Sequence, residues 1–435
     1  MKKIIYLWAG ILLLHLLAMP SLLCGADYTL ADLYRIALQG AEKIKVSEEN
    51  VNIAKLELKK ARGALVPNLS AYGSYTQYTE LKTGDTGNVI QPNQAGAWGL
   101  QLAQSYSLSG RDFTVLDIAG KTLDRSRFDL VSFQQDYLLN VSASFYDLLK
   151  AQQALEIANA NLDRLTKYRD AANTRLRVGE VTKTALLRAE GELSGARSDK
   201  IKAANSLAAA KVILARLVGI EGPYDIKETP EVDDSPGSLT DLESRAMARR
   251  QDLKSLEAQK EIAQKQLTYA KGAYWPSLSL GAAYAKVDQY PQTTSLNRES
   301  IYGNVALNFT FYDGGERNAD IMQAATRLRQ AELLYRDAVN SAMLQVRNSF
   351  LDFTTQQGII KFLQDQLTYA LDNFNAVSKQ YEFGLANSLD VIDANNLLLT
   401  SQRQLADALN NSRFSRLNLQ RATGALLGET DADKQ

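Results

Sequence analysis

Asp390 and Asp393 stand three residues apart in the run Ser388-Leu389-Asp390-Val391-Ile392-Asp393-Ala394, so on a helix their carboxylates share one face. A lone pair of that kind is ordinarily a solvated face. Repeated around a symmetry axis, the same pair becomes a ring of acids that attracts cations. Catalysis is a poorer use for this chain. Its single histidine, His15, and single cysteine, Cys24, both fall in a segment with the marks of a secretory leader: Lys2 and Lys3, an apolar run over 4–17, and small residues before an expected cut after Ala26. Lipidation of Cys24 is the rival reading, disfavoured by the bulk of Leu23. Without that segment there is no imidazole base, thiol nucleophile, disulfide or Cys/His metal site, and no Walker or G-x-S-x-G loop occurs. Neither an enzymatic reaction, a cofactor nor a bound metal is expected. Lys+Arg 49 against Asp+Glu 49 leaves no net charge, which gives no electrostatic case for nucleic acid.

The two acids follow a glycine turn, Glu382-Phe383-Gly384-Leu385-Ala386-Asn387, and a similar turn, Arg177-Val178-Gly179-Glu180-Val181-Thr182, lies 205 residues earlier. The spacing belongs to an internal duplication. Ala61-Arg62-Gly63-Ala64-Leu65-Val66-Pro67-Asn68-Leu69-Ser70 resembles Ala270-Lys271-Gly272-Ala273-Tyr274-Trp275-Pro276-Ser277-Leu278-Ser279 at an offset of 209. Each copy opens with a helix start, Thr29-x-x-Asp32 or Ser238-x-x-Asp241, and its first helical stretch ends at Pro67 or Pro276, where strand begins. Two-residue alternation then marks strand: Trp98, Leu100, Leu102, Tyr106 and Leu108 in one copy, Ile301, Val305, Leu307, Phe309 and Phe311 in the other. Each copy thus holds one hairpin, at about 68–108 and 277–312, with polar connections and strands near the roughly 9–11 residues of a tilted membrane strand. Aromatics near the strand ends, Tyr72, Tyr78, Trp98, Tyr106, Tyr274, Trp275 and Tyr312, are expected to form an interfacial girdle.

Long helices follow, 111–177 and 317–383, each 67 residues without a proline. At about 1.5 Å per residue each is roughly 100 Å long, far more than a bilayer needs. Apolar residues recur every seven positions, Val339, Val346, Phe353, Ile360, Leu367, Phe374 and Tyr381, matched by Val141, Leu148, Leu155 and Leu162, which specifies a continuous seam between helices. The chain therefore divides into a leader (1–26), a first repeat (27–218, closing on a helix at 181–218), a proline-rich linker (219–237), a second repeat (238–428, closing on a helix at 388–424) and a polar tail (429–435).

Four membrane-length strands cannot close a barrel, because an open edge in lipid leaves backbone groups unpaired. Two chains would give eight strands with a nearly filled interior; three would give twelve and a water-filled lumen. A conduit prefers three.

At this point the chain resembles the TolC family of outer-membrane efflux proteins, on the duplicated frame, the Pro67 and Pro276 strand starts, Tyr312-Asp313-Gly314-Gly315, and Tyr381-x-x-Gly384-x-x-x-Ser388-Leu389-Asp390-Val391-Ile392-Asp393-Ala394. The resemblance implies an α+β membrane protein, a homotrimer whose chains give four strands each to a twelve-stranded outer-membrane β-barrel and whose coiled-coil helices form a periplasmic tunnel. It implies contact with outer-membrane lipid, a linker in an equatorial collar, and periplasmic adaptors docked at the tips around Val178, Gly179, Phe383, Gly384 and Leu385. These would couple the duct to an inner-membrane pump of the RND, ABC or MFS type. It carries Asp390 and Asp393 onto acids that ring the closed entrance, and Tyr381 onto a position that helps hold it shut. The first copy departs from the pattern with Ala185 and Arg188 at the equivalent register, and Ala386 stands where some relatives have a bridging arginine. The alternative reading is a non-conducting tether or adhesin that spans the periplasm.

Overall fold

A computed structural model describes residues 26–228, 237–293 and 296–427. The leader up to residue 25, Asp233 and Asp234 of the linker, and the tail lie outside the described residues. The first repeat comprises β1 (Ala26–Tyr28), α1 (Leu30–Gly40), α2 (Glu42–Gly63), β2 (Asn68–Gln77), β3 (Lys82–Thr83), β4 (Val89–Gln91), β5 (Gln94–Ser107), α3 (Arg111–Arg177) and α4 (Lys183–Val218). After β6 (Tyr224–Ile226), the second repeats the plan with α5 (Leu239–Arg249), α6 (Gln251–Lys271), β7 (Ser277–Tyr290), β8 (Glu299–Asn308), α7 (Glu316–Glu382) and α8 (Ser388–Ala422).

Local chemistry accounts for these boundaries. Thr29 accepts from the Asp32 N–H while Asp32 accepts from Thr29, a complete capping box for α1, and Ser238 with Asp241 starts α5. Gly110 and Gly315, both left-handed, launch the two long helices. The second rod begins and ends one residue before its expected 317–383, because Gly315 sets its start. The hydroxyl of Thr182 caps α4, so that helix starts at Lys183 and not at 181. The alternation seen through Phe311 outruns the strand: β8 ends at Asn308, and Phe309 and Phe311 stack edge-on with centroids 4.7 Å apart. Tyr312 accordingly lies past the strand.

At every level four helices stand side by side. Toward the strands the order is α2, α3, α6, α7; toward the tips it is α4, α3, α8, α7. The seven-residue rows are the seams, with Val346, Phe353 and Tyr381, and Val141 and Leu148, buried. A collar holds the two levels together, where α1, the start of α2, α3, α4 and the segment after α8 bury Leu33, Ile44, Leu138, Phe145 and Leu214 around Tyr224. There β1 and β6 pair in parallel, Ala26 opposite Tyr224, a contact no local pattern announced. The end away from the tips is a four-stranded antiparallel sheet in the order β2, β5, β7, β8, and the 82–94 connection, expected as loop, carries the small β3–β4 hairpin.

Candidate functional site

Two turns close the helical hairpins. In each a glycine adopts the left-handed region, Gly179 at φ 80° and Gly384 at φ 74°. The next residue donates its N–H back five positions, Glu180 to the Arg175 carbonyl at 2.9 Å and Leu385 to the Gln380 carbonyl at 2.8 Å, which stops the helix and satisfies a terminal carbonyl. Val178, Phe383 and Leu385 are 66%, 79% and 79% exposed, so the tips offer apolar side chains to whatever meets them.

The helix after the second tip starts at Asn387, whose Oδ1 accepts from the N–H groups of Leu389 and Asp390, while Asp390 Oδ2 accepts from the Asn387 N–H at 2.9 Å. Asp390 therefore has a structural task in addition to any other, and its charge lies favourably at a helix N-terminus. Asp393 follows one turn later, and both acids are exposed in the single chain. At the first-copy equivalents, Ala185 is buried and Arg188 exposed.

Tyr381 is buried, and the first hairpin encloses it. Its ring lies 5.4 Å from that of Tyr168, and the Arg175 guanidinium sits 4.6 Å above it. Arg175 also donates from Nη1 to the Tyr381 carbonyl and from Nε to Glu180 at 2.9 Å, while the Tyr168 hydroxyl donates to the Ser388 carbonyl at 3.1 Å. The last turns of α3 thus clamp both ends of the second tip. Burial pushes the Tyr168 hydroxyl up to about 12, with the Tyr381 hydroxyl beside it a further cause. Farther along, the α3–α8 seam turns polar: Asn395 donates to Asn161 at 2.9 Å, Arg164 to Asn395 at 3.0 Å, and Asn410 to Gln153 at 2.8 Å. Arg175 and Tyr168 were not foreseen. The row through Leu155 and Leu162 passes to position 169, leaving Tyr168 off it, and nothing in sequence says which arginine crosses between hairpins.

Strand register sorts the sheet into two faces. Leu69, Leu102, Ala282 and Gly303 form one row, and Ala71, Leu100, Tyr284 and Ile301 the next, so one face is apolar across its middle. Trp98 lies toward its outer end, edge-on to Tyr284 at 5.6 Å, beside a Lys286–Glu299 ion pair at 3.3 Å. Tyr106 lies on the same face at the inner end, its hydroxyl donating to the Leu65 carbonyl at 2.9 Å. Trp275 and Tyr312 are exposed just beyond the inner strand ends, next to Pro276 and the Gly314-Gly315 turn, and Pro67 immediately precedes β2. Tyr72, grouped with the girdle from sequence, is on the opposite face, paired with Gly99. Apart from Tyr72, Tyr302 and Val287, that face is built from Ser, Thr, Asn, Gln, Ala and Gly, and none of the four strands turns a charged residue to it.

The model of a family described as outer membrane efflux protein matches residues 33–220 and again 242–425, once per repeat. The outer membrane protein TolC of Escherichia coli is 24% identical over 411 residues, covering 91% of this chain and 82% of that protein. The pyoverdine export outer membrane protein OpmQ of Pseudomonas aeruginosa is 24% identical over 426 residues, 93% and 86% of the two chains. Among solved structures, VceC of Vibrio cholerae superposes with a TM-score of 0.80 at 18% identity, over 91% of this chain and 96% of that one.

Proposed function

The chain belongs to the outer membrane efflux protein family, and on that footing we propose a trimeric exit duct whose periplasmic mouth is ringed by Asp390 and Asp393. The protein is an outer-membrane channel-tunnel serving efflux or secretion, with its helical rods in the periplasm. The observation that carries the trimer is the sheet. Its apolar face suits lipid and its uncharged polar face suits water, yet β2 and β8 end it with unpaired edges. Within lipid those edges must be paired, and three copies joined β8 to β2 make a closed twelve-stranded barrel. The helices repeat the argument, since Leu344, Leu351, Phe362 and Tyr369 of α7 are exposed at one flank of the protomer and Val46, Ile53, Ile201 and Val212 of α2 and α4 at the other.

Around the threefold axis, Asp390 and Asp393 supply six carboxylates at the tip end, and periplasmic adaptors dock on the apolar tips at Val178, Phe383 and Leu385. An inner-membrane pump behind the adaptor selects the cargo. The test is single-channel current in planar bilayers under asymmetric salt. The expected result is a cation-preferring conductance, blocked by divalent cations added at the tip side, and loss of both properties in Asp390→Ala/Asp393→Ala without loss of trimer. A trimer that never conducts would favour a tether, and an unchanged reversal potential in the double variant would return the two acids to a capping and solvated role.

A further inference from the structure

The polar face of the sheet carries two aromatic side chains, Tyr72 on β2 and Tyr302 on β8, among mostly small and uncharged neighbours. They occupy adjacent rows on that face, Tyr72–Gly99–Ala285–Ser300 and Ser70–Gln101–Ala283–Tyr302, near the middle of their strands. They are 42% and 53% exposed, and neither hydroxyl makes a hydrogen bond among the described residues. Tyr72 leans on bare backbone: a Cβ at Gly99 would fall 2.9 Å from its Cζ and Oη. One ring surface thus rests on the strand and the other is open. Covering a glycine is a structural use for Tyr72, but Tyr302 stands opposite Ala283, which needs no cover.

Resting on the trimeric-barrel reading above, we propose that Tyr72 and Tyr302 form an aromatic ring inside the barrel that transiently binds uncharged aromatic solutes during passage. Closure sets β8 of one chain beside β2 of the next, so Tyr302 lies on the strand adjoining that of the partner subunit's Tyr72, and six rings line the mid-barrel. Strands about 4.8 Å apart with a tilt of about 40° give twelve of them a backbone radius of about 12 Å. Six rings on a wall that wide leave the lumen open, so they hold a solute by stacking and do not seal. With no charged side chain on this face, stacking and hydrogen bonds from uncharged groups are the specific attractions its strands offer.

The test uses purified trimer in planar bilayers, with phenyl glucoside added on the barrel side and glucose as the non-aromatic control. Phenyl glucoside should produce brief partial reductions of current that glucose does not. Their mean duration should fall about 2- to 10-fold in Tyr302→Ala and further in Tyr72→Ala/Tyr302→Ala, as expected for lost stacking. Tyr302→Phe keeps the ring and should keep most of the dwell time, and because Tyr302 covers no glycine its variants should assemble as the original does. Dwell times unchanged in the double variant, or equal for glucose and phenyl glucoside, would overturn the proposal. A chain that forms trimers but passes no current would overturn the barrel reading along with it.

Discussion

Replacing Arg175 by alanine should loosen the second tip without disturbing the rest of the molecule. The side chain is only 17% exposed and makes three contacts: the Tyr381 carbonyl, the Tyr381 ring at 4.6 Å, and Glu180 at 2.9 Å. A hydrogen bond from a charged donor contributes about 1.5–3 kcal/mol, a partly exposed cation–π contact about 0.5–1 kcal/mol, and the Glu180 pair, whose acid is exposed, close to nothing. Shared atoms make these non-additive, so about 2 kcal/mol is a fair expectation for the loss. If the clamp limits local opening, that corresponds to about 30-fold faster amide exchange at the tip. Hydrogen exchange with mass analysis of peptides covering 381–387 reads this directly, and peptides from the collar around Leu138 and Leu214 serve as the internal reference. Arg175→Lys keeps the charge without the fork and should fall between the two. Equal exchange at the tip in Arg175→Ala and the unsubstituted chain would refute the reasoning. Equal acceleration in the collar would mean that a general loss of stability had been mistaken for a local one.

The remaining expectations concern glycines and one tyrosine. Valine at Gly384 places a β-branched residue at positive φ, a strain above the roughly 1–2 kcal/mol cost of an ordinary left-handed residue, and should abolish export while trimer yield in detergent stays constant. Gly99→Ala should impair barrel assembly, because its Cβ would sit 2.3 Å from the Tyr284 carbonyl oxygen, a backbone atom that cannot swing aside. Gly96→Ala, whose Cβ would have no contact closer than 3.9 Å, should assemble normally, and resistance of the trimer to dissociation in detergent compares the two. Because burial raises Tyr168 from near 10 to about 12, the folded tip favours the protonated hydroxyl. That contribution is complete below pH 10 and is lost as the pH rises from about 10 to about 12. Tyrosinate absorbance during an alkaline titration should contain a late component shared with Tyr224, which burial also raises to about 12, and Tyr168→Phe should reduce it.

Much of this was legible in one dimension because its causes are local or periodic. Pro67 and Pro276 forbid helix where strand begins, Gly179 and Gly384 take a conformation other residues resist, and a seven-residue repeat can only be a seam, so two copies of helix, hairpin and rod could be read directly. Where the reading overran, a competing local cause decided: alternation continued to Phe311, but β8 ends at Asn308 and Phe309 turns to stack on Phe311. Alternation also shows that a strand has two faces, yet it cannot align one strand with the next. Only the β2–β5 register put Tyr72 opposite Gly99 and away from Trp98, moving it from the apolar face of the sheet to the polar one. The parallel pairing of β1 with β6, the Arg175 clamp on Tyr381 and the Asn161–Asn395 bond join residues roughly 200 positions apart. Contacts at such separations depend on how rigid rods lie against one another, which no window of sequence encodes. The chemistry available to the chain was thus set by composition, whereas the partner that each tip and strand residue meets was set by the tertiary arrangement of the two repeats.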